Sequence, residues 1–325
     1  MKVRPYGPAD KERWNEFVAQ SKNGTFLFFR DYIDYHADRF ADASLIISDE
    51  DDKIISLLPA SREAETVISH AGLTYGGFLT DAQMTTPTML KLFDAALGHL
   101  KDQGVSKLIY KTIPHIYHRH PAEEDIYALF VKNTLLYRRD VLSVIDQAAR
   151  VKPQERRMRA ARKALRNGLS VRESQDYEQF WRILEENLLL KYSLKPVHSP
   201  SEIMLLAGRF PNEIKLFASY KGEAMLAGAV LYLSGNVCHV QYNAASAEGK
   251  TSGALDILLS RLVEQFSESK RYFDFGVSTE KDGRYLNVGL IQYKEGFGAR
   301  TVAHDFYELD IRAFAKVSSE ARGSR

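Results

Sequence analysis

The feature that most constrains this chain is an order of elements that occurs twice. Asp10 is followed by Trp14, Phe17 and Val18, and Asp176 by Phe180, Ile183 and Leu184, so each half opens with a capping residue and apolar positions at helical spacing. Asp176 with Gln179 also resembles a capping box. A polar connector and a short β-rich run follow, 44–48 in one half and 214–220 in the other. The turns Glu50-Asp51-Asp52-Lys53 and Lys221-Gly222-Glu223 then lead into second apolar runs, 54–59 and 225–233, as hairpins require. A third strand (67–73 and 237–243), an amphipathic helix (88–101 and 253–266) and a last strand (107–113 and 272–277) complete each half. The last strands begin at Lys107 and Tyr272, about 165 positions apart, so the chain reads as a duplication.

Three antiparallel strands followed by a strand–helix–strand crossover give a mixed sheet flanked by helices, so the expected fold class is α+β with one domain in each half. The expected domains are 1–150 and 151–312, with a tail at 313–325 that forms a short helix with a frayed end. The 325 residues suffice for two cores of ordinary size. Lys and Arg total 44 against 42 Asp and Glu, a formal charge of +2, so a nucleic-acid partner has to be argued from a local patch and DNA is not expected. The single Cys238 excludes an internal disulfide, a Cys-rich zinc site and a cysteine-ligated iron–sulfur cluster, which fits a reducing compartment; the cytoplasm is the expected location. The opening MKVRPYGPADKERW lacks a signal peptide's apolar core, and the longest apolar stretch, 224–233, is about half of what a membrane helix needs, so no integral membrane segment is expected.

The segment 152–168 carries seven cations against one acid, Glu155. As a helix it puts Met158, Ala161 and Leu165 on one stripe and Arg156, Arg159, Lys163 and Arg166 on another. That cationic stripe is open to three readings: a solvated face, a phosphate site on a nucleotide-linked substrate, or an RNA contact. Residues 244–251 match a relaxed phosphate-loop pattern ending in Gly249-Lys250-Thr251. Ala244 replaces the first glycine and no apolar run ending in Asp supplies a magnesium partner, which argues against an NTPase. The same strand–loop–helix arrangement can hold the pyrophosphate of an acyl-carrying cofactor, or be a plain surface loop. His115, His118 and His120 lack the further ligands of a metal site, so no metal is expected, and no G-x-S-x-G elbow occurs. Cys238 and His239 are adjacent on a predicted strand and point to opposite faces, so they do not form a nucleophile–base pair. Asp274, between Phe273 and Phe275 in a predicted buried strand, must be paired or lie at a functional cleft. Lys294, among Tyr293, Gly296 and Phe297, is placed either to stabilise charge developing in acyl transfer or simply at the surface.

The run Phe273-Asp274-Phe275-Gly276, with Tyr293-Lys294-Glu295-Gly296-Phe297-Gly298 about twenty positions later, resembles the closing motif of the FemAB-like family, whose members are two tandem GNAT-type domains. Leu73-Thr74-Tyr75-Gly76-Gly77-Phe78 is similar to the family's glycine-containing turn, 26–40 to its early aromatic segment, and 156–168 to the helix leading into its second domain. The resemblance implies two tandem GNAT-like domains and transfer of an acyl group, from a thioester (acyl-CoA) or from charged tRNA, onto an amine of a cell-envelope precursor, nucleotide-linked sugar or peptidoglycan peptide, held between the domains. It implies Lys294 and Asp81 as catalytic residues, and His36, Tyr75, Arg159, Tyr242, Asp274, Asn287 and Phe297 as substrate-binding ones. No tightly bound cofactor is implied, only acyl-CoA or aminoacyl-tRNA as donor co-substrate. The long coiled-coil arm of tRNA-using members is missing, and 244–254 departs from the usual acyl-CoA cradle, so the two donors stay open.

The expected chemistry is direct attack of the amine on the activated carbonyl. Asp81, or a water held by Tyr75, would take the ammonium proton, and backbone N–H groups or Lys294 would stabilise the oxyanion. The alternative is a ligand-binding or scaffold protein that keeps the duplicated fold without turnover.

Overall fold

A computed structural model describes residues 1–192 and 195–313. Contacts divide the described chain into two units, Met1–Asp140 with Asp282–Arg284 and residues 303–313, and Val141–Lys281 with Tyr285–Val302. The boundary in sequence thus falls inside one strand, ten residues before 150/151, and the C-terminal strand returns to the first unit. The helix expected after Ile311 lies, from 314 on, outside the described residues.

The first unit contains β1 (Lys2–Pro5), α1 (Lys11–Gln20), α2 (Arg30–Ile33), β2 (Leu45–Ser48), β3 (Ile54–Leu58), β4 (Ser61–Glu63), β5 (Thr66–Ile68), β6 (Leu79–Thr80), α3 (Thr86–Asp102), β7 (Lys107–Lys111), α4 (Glu124–Val131) and the start of β8 (Leu135–Asp146). Strands β1, β2, β3 and β6 form an antiparallel sheet in that order. In a second sheet, β4 pairs antiparallel with β5, and β5 runs parallel to β7. The run 67–73, expected as one strand, is broken because His70 takes a left-handed φ of 50° and its N–H turns back to Ile68 O. Helix α3 begins where Thr85 accepts the Thr88 N–H, and Met89, Leu92, Phe93, Ala96 and Leu97 then face the core at helical spacing.

The second unit continues with α5 (Glu155–Arg166), β9 (Leu169–Ser174), α6 (Tyr177–Tyr192), α7 (Pro200–Arg209), β10 (Ile214–Lys221), β11 (Ala224–Leu233), β12 (Val237–Ala245), α8 (Ala247–Ser252), α9 (Ala254–Gln265), β13 (Tyr272–Val277), the short hairpin β14 (Thr279–Glu280) and β15 (Tyr285–Leu286), and α10 (Val288–Glu295). A final strand, β16 (Arg300–Asp310), ends in the first unit, where its residues 306–310 pair with β7. Strands β10 to β12 form the antiparallel meander that the apolar runs predict, and β9, which that pattern does not include, pairs antiparallel on the outer edge of β10. Helices α8 and α9 then cross over so that β13 returns parallel to β12, and β13 pairs on its other edge with residues 142–146 of β8. Ala161 and Ala164 of α5 and Ile257, Leu258 and Leu262 of α9 share a core cluster with Phe217, Leu231, Val240 and Phe273 of the sheet. Asp176 caps α6 by accepting the Gln179 N–H at 2.9 Å, as its spacing predicts.

Candidate active site

The neighbouring strands β12 and β13 stay paired for only three residues. Val237 faces Tyr272, Cys238 faces Phe273 and His239 faces Asp274; beyond that point β12 continues to Ala245 paired with β11 but not with β13. Two local features end the pairing. Gly276 adopts φ +74°, which turns β13 away, and in β12 the register against β11 jumps from Val230–Tyr242 to Leu231–Val240, so Gln241 is an extra residue in a β-bulge. The two parallel strands therefore part, and a gap opens at the C-terminal end of β12.

A cavity of about 360 Å³ lies at this end of the strand, lined by residues 243–245, Arg157 of α5, Asn187 of α6, Asp256 of α9 and Tyr293 of α10. Asn187 Nδ2 holds the strand end by donating to Ala245 O at 2.8 Å. Arg157 donates to Asp256 Oδ1 at 2.7 Å, and its guanidinium carbon lies 4.3 Å from the centre of the Tyr293 ring. The Arg157 Nε and the Tyr293 hydroxyl are both buried without a hydrogen-bond partner. Burial also drives the Tyr293 hydroxyl well above its usual pKa, so it is a proton donor at neutral pH.

Helix α5 meets the pocket in a phase the sequence did not give. The expected apolar stripe was Met158, Ala161 and Leu165, but Met158 and Leu165 are exposed, while Ala161 and Ala164 are buried and Arg157 is partly buried. The reason is close packing on α9. A Cβ on Gly253 would come 2.9 Å from Ala160 O and 3.6 Å from Ala164 Cβ, so only small side chains fit there. Arg157 consequently turns inward, whereas Arg156, Arg159, Lys163 and Arg166 are exposed. The phosphate-loop-like run at 244–251 is mostly helix α8, with Ser246 accepting the Gly249 N–H at 3.1 Å. Gly249 is required by contact with the sheet, since a Cβ there would lie 2.1 Å from Leu226 O.

At the apex of the gap, Asp274 is 1% exposed and bonds His239 Nδ1 through Oδ2 at 2.8 Å, while its Oδ1 accepts the Gly276 N–H at 2.7 Å. Pairing therefore accounts for the carboxylate in the buried strand. Lys294, on the last turn of α10, donates to Gly276 O at 2.9 Å and to Val277 O at 2.7 Å. Burial pulls its ammonium down to about 8, with Asp274 pulling the other way. Asn287 caps α10 by accepting the Leu290 N–H and gives its own amide to Glu280 at 2.7 Å. Phe297 packs its ring 5.6 Å from Phe275 and 5.3 Å from Tyr293. Cys238 lies in the core cluster, its thiol driven upward by burial, so it is separated from His239 by the sheet as strand alternation requires.

Tyr242 lies further along β12, its hydroxyl 2.6 Å from His198 Nδ1 and its ring 5.3 Å from Trp181; burial raises it to about 12. The remaining expected residues belong to the first unit. His36 is buried and stacks on His70. Tyr75 donates to Thr25 Oγ1 at 3.0 Å beneath Tyr117. Asp81 accepts the Gln83 N–H at 2.9 Å, a turn that leads into α3. His118 is buried with Nε2 3.0 Å from Ile113 O, and among the described residues no group of three or more His, Cys, Asp or Glu could hold a metal ion. No described helix is long and apolar enough to cross a membrane. Lys294, Asp274, Asn287 and Phe297 thus all belong to the second unit, where Asp274 pairs with His239, while Arg157 and Tyr293 line the cavity. Arg157 and Tyr293 lie inside the runs 156–168 and 293–298 without standing out there as site residues, and His239 becomes visible only once β12 and β13 are aligned.

Residues 149–295 match the family model described as an acetyltransferase (GNAT) domain. Among solved structures, the whole chain is similar to FemX at 11% identity and TM-score 0.65, covering 98% of this chain and 100% of that one. It is also similar to the C-terminal domain of a putative lysylphosphatidylglycerol synthetase from Agrobacterium fabrum, at 12% identity and TM-score 0.59 over 97% of this chain and 95% of that one. A tandem GNAT protein from the clavulanic acid biosynthesis pathway matches at 10% identity and TM-score 0.52, over 95% and 98% of the two chains. No curated protein matches in sequence. The expected α+β tandem GNAT fold is therefore the observed one.

Proposed function

From the tandem GNAT fold and the GNAT-domain match over residues 149–295, we propose that this chain is a FemAB-like N-acyl- or aminoacyltransferase whose donor enters the gap between β12 and β13. The acceptor in this reading is an amine of a small or nucleotide-linked cell-envelope precursor. That one structural neighbour is named as a putative lysylphosphatidylglycerol synthetase supports placing the acceptor in the envelope.

The observation that carries the reading is the pair of buried polar atoms without partners, Arg157 Nε and Tyr293 Oη, on the wall of one pocket. A buried donor left unpaired costs about 1–3 kcal/mol, and a ligand carbonyl or phosphate in the pocket removes that cost. The exposed cations on the same helix, Arg156, Arg159, Lys163 and Arg166, suit the phosphates carried by either donor, coenzyme A or tRNA.

The reaction proposed is direct attack of the amine on the donor carbonyl. Lys294 pins the strand end at Gly276 and Val277 with two of its three N–H groups, and its charge, with the backbone N–H at the Gln241 bulge, faces the developing oxyanion. Tyr293 is the proton source for the leaving group. Asp81, in the first unit, is the acid at which the resemblance places proton removal. Tyr75, Tyr242 and His36 are assigned to acceptor binding.

Calorimetry with acetyl-CoA and with an aminoacyl-tRNA mixture tests the reading. One donor is expected to bind, and Tyr293→Phe is expected to weaken it several-fold without unfolding the protein. No binding of either donor would overturn the reading, and donor binding without transfer to any amine would favour a ligand-binding protein.

A further inference from the structure

The reaction above makes no use of the titratable pair at the apex of the gap. His239 and Asp274 are the last facing residues before β12 and β13 part. Cys238, Val240, Phe273 and Phe275 point into the core cluster, so strand alternation puts His239 and Asp274 on the opposite face of the sheet. Asp274 is fully committed, to His239 Nδ1 on one oxygen and to the Gly276 N–H on the other. A carboxylate accepting at Nδ1 makes that nitrogen the protonated one and leaves a lone pair on Nε2. The imidazole keeps 12% of its side-chain surface exposed, while the carboxylate behind it keeps 1%. Gly276 flanks the ring closely: a Cβ there would lie 3.3 Å from His239 Cε1, the carbon between the two nitrogens. Lys294 fixes the Gly276 carbonyl at 2.9 Å, so the same backbone turn connects the lysine to the imidazole.

We propose that His239 is the general base that takes the proton from the acceptor ammonium, and that Asp274 is the positioning residue that sets its tautomer. The proposal rests on the acyl-transfer reading and replaces Asp81 in this one role. Nε2 removes one proton from R–NH3⁺ and passes it to solvent. The freed lone pair forms the C–N bond and the carbonyl pair moves to oxygen. Collapse breaks the bond to the donor's sulfur or oxygen, and the second nitrogen proton replaces the one Tyr293 gives to the leaving group. Asp274 keeps its charge throughout, which favours the imidazolium formed in the first step.

The test measures thiol release from acetyl-CoA by the full chain with two acceptors. Ethanolamine is an ammonium ion at pH 7 and needs the base; hydroxylamine is neutral there and does not. His239→Gln is expected to lower the ethanolamine rate about 10²-fold or more, with a much smaller loss on hydroxylamine, so the ratio of the two rates falls. Asp274→Asn is expected to lower the same ratio. An equal loss on both acceptors would overturn the proposal, since a purely structural pair predicts it. Nitrogen-15 spectra of the imidazole give a readout independent of turnover: an unprotonated Nε2 supports the proposal, and a proton on Nε2 at neutral pH overturns it. If the wild-type chain binds no acetyl-CoA, the thioester-donor reading falls, and the nitrogen spectra still decide the tautomer on which the base depends.

Discussion

Lys294 donates to the carbonyl oxygen of Gly276 at 2.9 Å, joining the last turn of α10 to the point where β13 leaves β12. The ammonium is 5% exposed, and burial lowers it from 10.5 to about 8. The unfolded chain therefore binds more protons than the folded one between about 8 and 10.5, and stability rises with pH across that window. Lys294→Met is expected to flatten the rise, as measured by urea unfolding at the two ends of the window. An unchanged slope would place the titrating group elsewhere. The same variant is expected to lower transfer by about 10²-fold, because a preorganised positive charge near the oxyanion is lost.

In the first unit the same sign recurs at lower pH. His36 and His70 stack with centroids 5.1 Å apart and planes 17° from parallel. Burial, with His36 adding to it, lowers His70 from 6.5 to about 3, and burial holds His118 and His304 near 4. Protons are then taken up on unfolding, so stability is lost as pH falls from about 6.5 toward 3. His70→Asn, which tolerates the left-handed φ of 50°, is expected to shrink that loss. Equal acid sensitivity in the variant and the wild type would remove His70 from the account.

Periodicity made most of the framework legible. Strand β13 was expected at 272–277, where it is, because a run rich in aromatic residues and too short for a helix reads as a strand. The missed parts depend on contacts distant in sequence. Helix α10 was not foreseen, because its buried residues, Ile291 and Lys294, make no apolar stripe. Arg157 was missed in favour of Arg159 because the Ala face of α5, not its larger apolar residues, packs on α9. Asp274 was expected to need a partner, but naming His239 requires the register of two strands whose residues are 35 apart.

Gly249 offers a stability test of how α8 docks. A Cβ there would sit 2.1 Å from the carbonyl oxygen of Leu226, a backbone atom that cannot swing away. Gly249→Ala is expected to destabilise the chain by about 1–3 kcal/mol. Gly235→Ala meets nothing within 4 Å and serves as the comparison, with an expected change below about 0.5 kcal/mol. Equal midpoints for the two variants in denaturant would mean that α8 does not lie against β11.

Arg157 and Arg159 differ by two positions and should differ in how salt affects them. Arg157 is 16% exposed, paired through one Nη with Asp256 at 2.7 Å and stacked on Tyr293, so its planar face and one end of its fork are in use. Arg157→Lys keeps the charge but loses both, and is expected to weaken acetyl-CoA binding about tenfold, roughly 1.4 kcal/mol. Arg159 is on the exposed face of the same helix, where ions screen its attraction for phosphate. Its replacement by Ala should weaken binding in dilute buffer and lose that effect as salt is added, whereas the Arg157→Lys loss should persist. Calorimetric titrations at low and high ionic strength separate the two. If the Arg157→Lys loss also fades with salt, the guanidinium is outside the donor pocket.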